Sequence, residues 1–151
     1  MRDLVLIPGL NNTGIVFDGA IAALGDEATC LTGTSPALDD VEALAEFWLA
    51  RAPARFHLCG FSFGGYVALA MLAKAPDRIQ GFALACSTIA ADGEAARAAR
   101  SRSIDAVRRD GYETVIAAQA SAAFHPESLR DQALVAARNR MVADFGVERF
   151  V

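Results

Sequence analysis

An α/β fold, with a parallel sheet of about four strands flanked by helices, is predicted by the way two kinds of segment alternate along the 151 residues. Short continuous apolar runs, typical of strands buried on both faces of a parallel sheet, alternate with longer segments of helical periodicity. The runs cover residues 4–7, 28–31, 56–59 and 82–86. Hydrophobic residues make up 54% of the chain, which is enough to build a packed core around such a sheet.

The segments before the third strand follow this alternation. The run Leu4–Ile7 ends at Pro8-Gly9, where a turn is expected, and a helix is predicted over residues 15–24. After the second run, the pair Asp39-Asp40 marks the start of a helix over residues 39–51, because negative charge is favourable at a helix N-terminus. Apolar residues at helical spacing give this helix a buried stripe of Val41, Leu44, Ala45, Trp48 and Leu49.

A serine between two glycines separates the third run from the next helix. The string Gly60-Phe-Ser-Phe-Gly64 follows the strand, and an Ala-rich helical pattern runs from Phe63 to Ala75, where Pro76 ends it. Between a strand and a helix, such a string is a nucleophile elbow, in which Ser62 takes a strained conformation that projects its hydroxyl above the sheet. The glycines on either side then approach each other too closely for a Cβ. The alternative is a glycine-rich turn whose serine caps the helix.

Two strings, Gly60–Gly65 and Leu4–Leu10, resemble those of the α/β-hydrolase superfamily, in particular its small bacterial esterase-like members. The resemblance covers the chain to about residue 90 and implies a partial α/β-hydrolase fold. It also implies a strand order in space, with 28–31 outermost, then 4–7, 56–59 and 82–86.

The same resemblance implies roles for individual residues. Ser62 corresponds to the nucleophile, and the backbone N–H groups of Leu10 and Phe63 correspond to the oxyanion hole. The elbow glycines are Gly60 and Gly64. Many relatives carry His-Gly where this chain has Pro8-Gly9, a change that alters the loop but keeps a backbone donor at Leu10.

Residues 91–151 differ in character from residues 1–90. They are rich in Ala and Arg, lack strand patterns and predict three helices, with breaks at Gly111 and at His125-Pro126. In the similar family a helical cap is often inserted at this point. We therefore divide the chain into the N-terminal half of the hydrolase core, 1–90, and a helical cap or lid segment, 91–151. The arginines at 97, 100, 102, 108 and 109 are expected on a solvated helix face, although attraction of an anionic substrate is the alternative.

The two histidines fit structural roles better than catalytic ones. His57 lies on the strand that precedes Ser62, so its side chain belongs to the sheet packing. His125 precedes Pro126 at a predicted helix start, and a role as base stays open for it because sequence position alone does not exclude triad geometry. Asp92, the first carboxylate after the last strand, is explained in the same way by a helix start.

The similar family places an acid and then a histidine late in the chain, so we expect both beyond Val151. The chain is then the N-terminal part of a longer hydrolase, a natural half completed by another chain, or a degenerate member of the fold. The strand at 82–86 has the pattern of a strand buried on both sides, yet in the 151-residue chain alone it would form a bare apolar edge. Such an edge predicts a homodimer or a completing chain paired through it.

Charge and cysteine usage exclude several classes of function. A net charge of −4 gives no electrostatic case for nucleic-acid binding. Cys30, Cys59 and Cys86 each fall in a predicted strand, as expected for reduced core thiols rather than metal ligands or nucleophiles. The N-terminal apolar run is too short for a signal peptide, and no stretch is long enough to span a membrane. We therefore expect a cytoplasmic protein with no metal, no cofactor and no membrane partner.

Taken together, these features favour a serine hydrolase that acts on a small-molecule carboxylic ester or related acyl substrate through Ser62. The alternative is a non-catalytic α/β-hydrolase-fold fragment that serves as a scaffold or binding protein. Acyl transfer, cofactor-free haloperoxidase chemistry and carbon–carbon bond hydrolysis stay open, because function resides in the site and not in the fold. Phe17, Phe61 and Phe63 hint at an apolar pocket mouth, with core packing as the alternative.

Overall fold

The computed structural model describes residues 1–119 and 124–151, which form two compact units, Met1–Ala90 and Ala91–Val151. The boundary lies where the composition changes in the sequence. The role of the second unit as a cap stays a prediction.

The first unit is built around a four-stranded parallel sheet in which the strands are ordered β2-β1-β3-β4. The strands are β1 (Arg2–Ile7), β2 (Ala28–Leu31), β3 (Phe56–Phe61) and β4 (Ile79–Ala85). The predicted order of strands is confirmed. The predicted end of β3 at Cys59 is too early, because pairing with β4 continues as far as the Phe61–Ala85 pair.

Three helices connect these strands, namely α1 (Asp18–Leu24), α2 (Val41–Leu49) and α3 (Gly64–Lys74). The predicted helix over 15–24 is correct only from Asp18 onward, since residues 14–17 form a 3-10 turn. The helix predicted over 39–51 begins later, because Asp40 is its N-cap and its carboxylate accepts the N–H of Glu42 at 2.9 Å.

The core of this unit lies between the sheet and the helices α2 and α3. The predicted stripe of α2 is confirmed: Leu44, Ala45 and Trp48 are buried, and Val41 and Leu49 pack against them. The indole N–H of Trp48 donates to Ser35 Oγ at 3.1 Å, so its polar atom is satisfied. Further core side chains come from β1, β3 and α3, namely Val5, Ile7, Phe56, Leu58, Val67, Ala68, Ala70 and Met71.

The second unit contains, in its described part, the helices α4 (Glu94–Asp110), α5 (Tyr112–Ala118) and α6 (Gln132–Phe145). The predicted break at Gly111 is confirmed, since α4 ends and α5 begins on either side of it. The predicted break at His125-Pro126 falls between α5 and α6; of that connection, residues 120–123 lie outside the described ranges. The buried side chains of the unit are Val107, Tyr112, Ile116, Met141, Val142 and Phe145.

The arginine-rich surface of α4 is exposed, as predicted. Arg109 donates to the neighbouring carboxylate of Asp110 at 2.8 and 2.9 Å. This hydrogen bond lowers the pKa of Asp110 and raises that of Arg109. Both side chains are open to solvent, so the pair marks a solvated helix face rather than a binding site.

The prediction that all three cysteines are core thiols within strands is wrong for Cys86. This residue lies one position past the end of β4, has a φ of 50° and is exposed. Cys30 and Cys59 do lie in strands and are half-buried. Burial raises the pKa of the Cys59 thiol and keeps it in its neutral form.

Strand β4 lies at the edge of the sheet and, within the described residues, pairs with β3 alone. Its sequence, Ile-Gln-Gly-Phe-Ala-Leu-Ala, carries no charge, and each of its residues is half-buried or exposed. What pairs with this edge stays a prediction. Among the described helices, none combines the length and apolar character needed to cross a membrane.

Candidate active site

Ser62 lies at the sharp bend between β3 and α3. Its φ of 53° falls in the left-handed region, which is unfavourable for a residue with a side chain. Its N–H donates to the carbonyl of Ala85 at 2.9 Å, and its own carbonyl accepts the N–H of Gly65 at 2.9 Å. The first bond extends the sheet and the second starts the helix, so the strained residue is held from both sides.

The glycines on either side of Ser62 permit this bend because the backbone approaches itself there. A methyl group on Gly60 would lie 2.5 Å from the carbonyl oxygen of Gly64 and 2.6 Å from the Cα of Gly65. A methyl group on Gly64 would collide with the carbonyl groups of Ile7 and Pro8. The elbow therefore has no space for a Cβ at either position, and Gly64 also brings α3 against the end of β1.

The loop after β1 flanks Ser62 on one side. A methyl group on Gly9 would lie 2.9 Å from the Cβ of Ser62 and 3.4 Å from its Oγ. The loop is held in place by two bonds from Asn12, whose N–H donates to the Gly9 carbonyl at 3.3 Å and whose side-chain amide donates to the Leu10 carbonyl at 2.5 Å. Gly9 thus brings the backbone next to the serine hydroxyl without blocking it.

Two backbone amides close to Ser62 have no acceptor among the described residues, namely those of Leu10 and Phe63. Leu10 follows Gly9 in the loop just described, and Phe63 is the N-cap of α3. A helix N-terminus carries partial positive charge and orphan N–H groups. The oxyanion role that the family resemblance implies for these two amides stays a prediction.

The end of β4 flanks Ser62 on its other side, and here the sequence did not point to any site residue. A methyl group on Gly65 would collide with the Oγ and Cβ of Ser87, so the segment after Cys86 is packed onto the first turn of α3. The Ser87 hydroxyl is buried and, within the described chain, has no hydrogen-bond partner. The sequence placed Cys86 inside the strand because it continues the apolar run Phe82–Ala85, and the residue at which a strand ends leaves no signal of its own.

His57 is held in the sheet, far along the strand from the serine. It precedes Ser62 by five residues on β3, which corresponds to roughly 16 Å of extended chain. A methyl group on its neighbour Gly81 would lie 2.7 Å from the imidazole Cδ2, so the ring fills the space that this glycine leaves. Its Nδ1 is buried and, in the described chain, unpaired. The position of the ring supports the structural role predicted for His57.

The remaining candidates for base and acid lie in the second unit and make local contacts. His125 is exposed, and its Nδ1 accepts the N–H of Glu127 at 3.4 Å. Asp92 forms an ion pair with Arg100. The described ranges bring no three His, Cys, Asp or Glu side chains together as a metal-binding group.

The aromatic residues near the elbow serve mainly in packing. Phe17 is buried, and its ring meets that of Phe61 edge-on at a centroid distance of 6.5 Å. Phe63 is half-buried, packs against the main core and lies 6.3 Å from the ring of Tyr66. Of the two interpretations of these residues, core packing is the one that these contacts support.

Comparison with known proteins places these features in a family. The sequence model of a family described as alpha/beta hydrolase fold matches residues 36–150. A similar protein, the pimeloyl-[acyl-carrier protein] methyl ester esterase of Nitrosomonas europaea, is 32% identical over 94 residues, which are 57% of this chain and 37% of that protein.

Among the solved structures with the same fold are two that match nearly the whole of this chain. The enol-lactonase from Burkholderia xenovorans LB400 superposes with a TM-score of 0.82 at 21% identity, covering 99% of this chain and 62% of its own. A thermophilic esterase from Thermogutta terrifontis superposes with a TM-score of 0.76 at 22% identity, covering 94% of this chain and 58% of its own. At these identities the likeness shows the fold alone. The matches thus span between about one third and two thirds of the length of these proteins.

Proposed function

We propose that this chain, which belongs to the α/β-hydrolase fold family, uses Ser62 as the nucleophile that hydrolyses a carboxylic ester or a related acyl compound. One observation carries the proposal. Ser62 lies at a bend with a φ of 53°, between a strand and a helix, and Gly9 of the loop after β1 lies close beside it without a side chain. A strained serine in this context is the arrangement that presents a nucleophilic hydroxyl above the sheet, and a base must still activate it.

Similar proteins support the class of reaction. The curated relative is named as a methyl ester esterase, and the two solved structures are named as an esterase and an enol-lactonase. The local geometry supports the same class, because acyl transfer needs donors for the oxygen that becomes negatively charged. The unpaired amides of Leu10 and Phe63 provide two such donors beside the serine.

The reaction that follows from this geometry has two stages. A base removes the proton of Ser62 as Oγ attacks the acyl carbon, and the carbonyl oxygen takes the negative charge against the two amides. The intermediate then expels the alcohol, which receives the proton from the base, and leaves an acyl-enzyme. Water deprotonated by the same base attacks the acyl-enzyme, releases the carboxylic acid and restores Ser62.

We propose that the base and its acid partner come from residues outside these 151, in a longer form of the protein or in a partner chain. Two observations support this. The His57 ring packs within the sheet against Gly81, away from Ser62. The matches cover only 37% to 62% of the length of the similar proteins. Loss of a positioned base costs about 10²- to 10⁴-fold in rate, so the 151-residue chain alone should react slowly.

The test is labelling with a fluorophosphonate probe, followed by intact mass and peptide mapping. We expect one adduct, on Ser62, forming about 10²- to 10⁴-fold faster in the longest natural form of the protein than in the 151-residue chain. Ser62→Ala should abolish the adduct and leave the unfolding temperature nearly unchanged, because alanine keeps the Cβ and the strained φ of 53° and loses only the hydroxyl. Ser101→Ala, an exposed serine on α4, is the matched control and should label normally.

An adduct that persists in Ser62→Ala would contradict the assignment of the nucleophile. A folded, full-length protein that takes up no probe would instead favour the scaffold or binding protein that keeps this fold without its chemistry.

A further inference from the structure

We propose that Cys86 forms the wall of the Ser62 site on the side of β4 and limits the size of the ester that reaches the serine. The placement of Cys86 rests on the sheet alone. The statement about esters rests on the function proposed above.

The pairing of β3 with β4 brings the two residues together. Phe61 pairs with Ala85, and the next N–H, that of Ser62, donates to the Ala85 carbonyl at 2.9 Å. The register therefore places Cys86 opposite Ser62. Neighbouring strands lie about 4.8 Å apart, so the two backbones are in direct contact distance.

Cys86 also differs from the other thiols in its exposure. Cys30 and Cys59 are half-buried within their strands, whereas Cys86 is exposed and follows the end of its strand. Its φ of 50° is close to the 53° of Ser62, so each of the two paired strands is followed by a residue in the left-handed conformation. On this proposal, the exposed side chain of Cys86 lines the approach of a substrate to the serine.

The segment that carries Cys86 is fixed rather than free to swing aside. Ser87, the next residue, fills the space left by Gly65 on the first turn of α3. Its buried hydroxyl shows how closely the segment is packed. A larger side chain at position 86 therefore has little room to withdraw by moving its backbone.

The two flanks of Ser62 consequently differ. On the side of β1, Gly9 places bare backbone beside the serine, next to the Leu10 amide. On the side of β4 stands a thiol. When the carbonyl oxygen of an ester binds at the Leu10 amide, the acyl chain and the alcohol must occupy other parts of the site. On the side of β4, the side chain of Cys86 restricts the space for them.

The first experiment measures kcat and KM of the full-length protein for two series of esters, one lengthened in the acyl group and one in the alcohol. Cys86→Phe should lower kcat/KM for the longest member of at least one series tenfold or more relative to the shortest member. Cys86→Ala should leave kcat/KM for the longest ester, relative to that for the shortest, unchanged or higher. Ala90→Phe, which introduces the same side chain at an exposed position of the same segment, is the matched control and should leave both series unchanged.

Equal losses for short and long esters in Cys86→Phe would mean a general structural effect and would overturn the proposal. A wild-type protein without esterase activity would overturn the ester assignment together with the proposed function. The placement of Cys86 is tested separately, without catalysis, as follows.

The second experiment uses dibromobimane, a short reagent that fluoresces when it joins two thiols, on the Ser62→Cys variant. We expect a cross-link between positions 62 and 86 that disappears when Cys86→Ala is added and persists when Cys30→Ala is added. Failure of this cross-link in a folded variant would overturn the placement of Cys86 whatever the activity. A cross-link in a protein without esterase activity would leave the placement standing and reject the proposed function.

Discussion

The glycines around the Ser62 bend in the first unit and the glycines at helix ends in the second unit serve two different physical purposes. In the first unit, Gly60, Gly64 and Gly65 are sites where backbone meets backbone or a neighbouring side chain too closely for a Cβ. In the second unit, methyl groups on Gly111 and Gly146 would meet only ordinary contacts near 4 Å, but the residues have φ values of 88° and 76°. Glycine is needed in the first set because there is no space for a Cβ, and in the second set because a residue with a Cβ rarely adopts such a φ.

This contrast follows from how each unit is held together. The sheet unit joins strands that are distant in sequence, and its helices pack directly against strand ends. The helical unit joins neighbouring helices, whose ends need turns more than close approach. The candidate site lies in the unit in which packing, rather than local turn geometry, determines the backbone.

The largest expected effect of this contrast comes from Gly64→Ala. Its methyl group would collide with the carbonyls of Ile7 and Pro8, which belong to backbone and cannot rotate away. We expect the free energy of unfolding to fall by about 3 kcal/mol or more, at the upper end of overpacking costs. Probe labelling of Ser62 should be lost even in the folded fraction.

Gly19→Ala, in α1, is the matched control, because nothing lies within 4 Å of the added methyl. It should stabilise the protein by about 0.5–1 kcal/mol through helix propensity. Equal effects of the two substitutions in urea unfolding would show that space at Gly64 is not limiting.

A smaller effect is expected for Gly146→Ala at the end of α6. The φ of 76° and ψ of 159° lie in a region that almost only glycine occupies, so the strain should cost about 1–3 kcal/mol. Gly93→Ala, with a φ of −70° and open space around it, should cost only a few tenths of a kcal/mol as an N-cap change. Circular dichroism during thermal unfolding measures both effects. An unchanged unfolding temperature in Gly146→Ala would refute the role of the dihedral angle.

The smallest effect at neutral pH concerns the buried Tyr112 of the helical unit. Its hydroxyl donates to the Val142 carbonyl at 3.3 Å, and burial raises its pKa to about 12. The unfolded pKa is about 10. Stability from the neutral phenol should therefore be complete below pH 10 and be lost as the pH rises from 10 toward 12.

Spectrophotometric titration of the phenolate and thermal unfolding between pH 9 and 12 measure this effect. Tyr112→Phe should remove the part of the pH dependence that belongs to this residue. The prediction fails if wild type and variant lose stability in parallel over this range.

Much of the sheet unit was predictable because its signals are local. Continuous apolar runs marked the strands, acidic residues marked the start of α2, and the glycines around Ser62 marked the bend. Boundaries were less accurate: β3 runs on to Phe61, and α1 is preceded by a 3-10 turn. These ends depend on pairing with β4 and on loop packing, which no short stretch of sequence encodes.

The surroundings of the serine were only partly predictable. The amides of Leu10 and Phe63 came from resemblance to a family, whereas the approach of Gly9 to the serine hydroxyl appears only in the structure. Cys86 was assigned to a buried strand because apolar residues precede it, yet the register with β3 ends one residue earlier.

The sequence by itself determined the fold class and the serine at the bend, since both depend on residue types at short spacing along the chain, whereas the strand order followed from the resemblance to a family. The tertiary structure decided which residues stand on either side of that serine. Gly9 and Cys86 follow the ends of β1 and β4, 53 residues before and 24 residues after Ser62 in the chain, and only the register and packing of parallel strands bring them to it. The spacing of residues along the chain does not encode that Gly9 and Cys86 lie near Ser62, because the pairing between strands determines which residues are neighbours across a sheet.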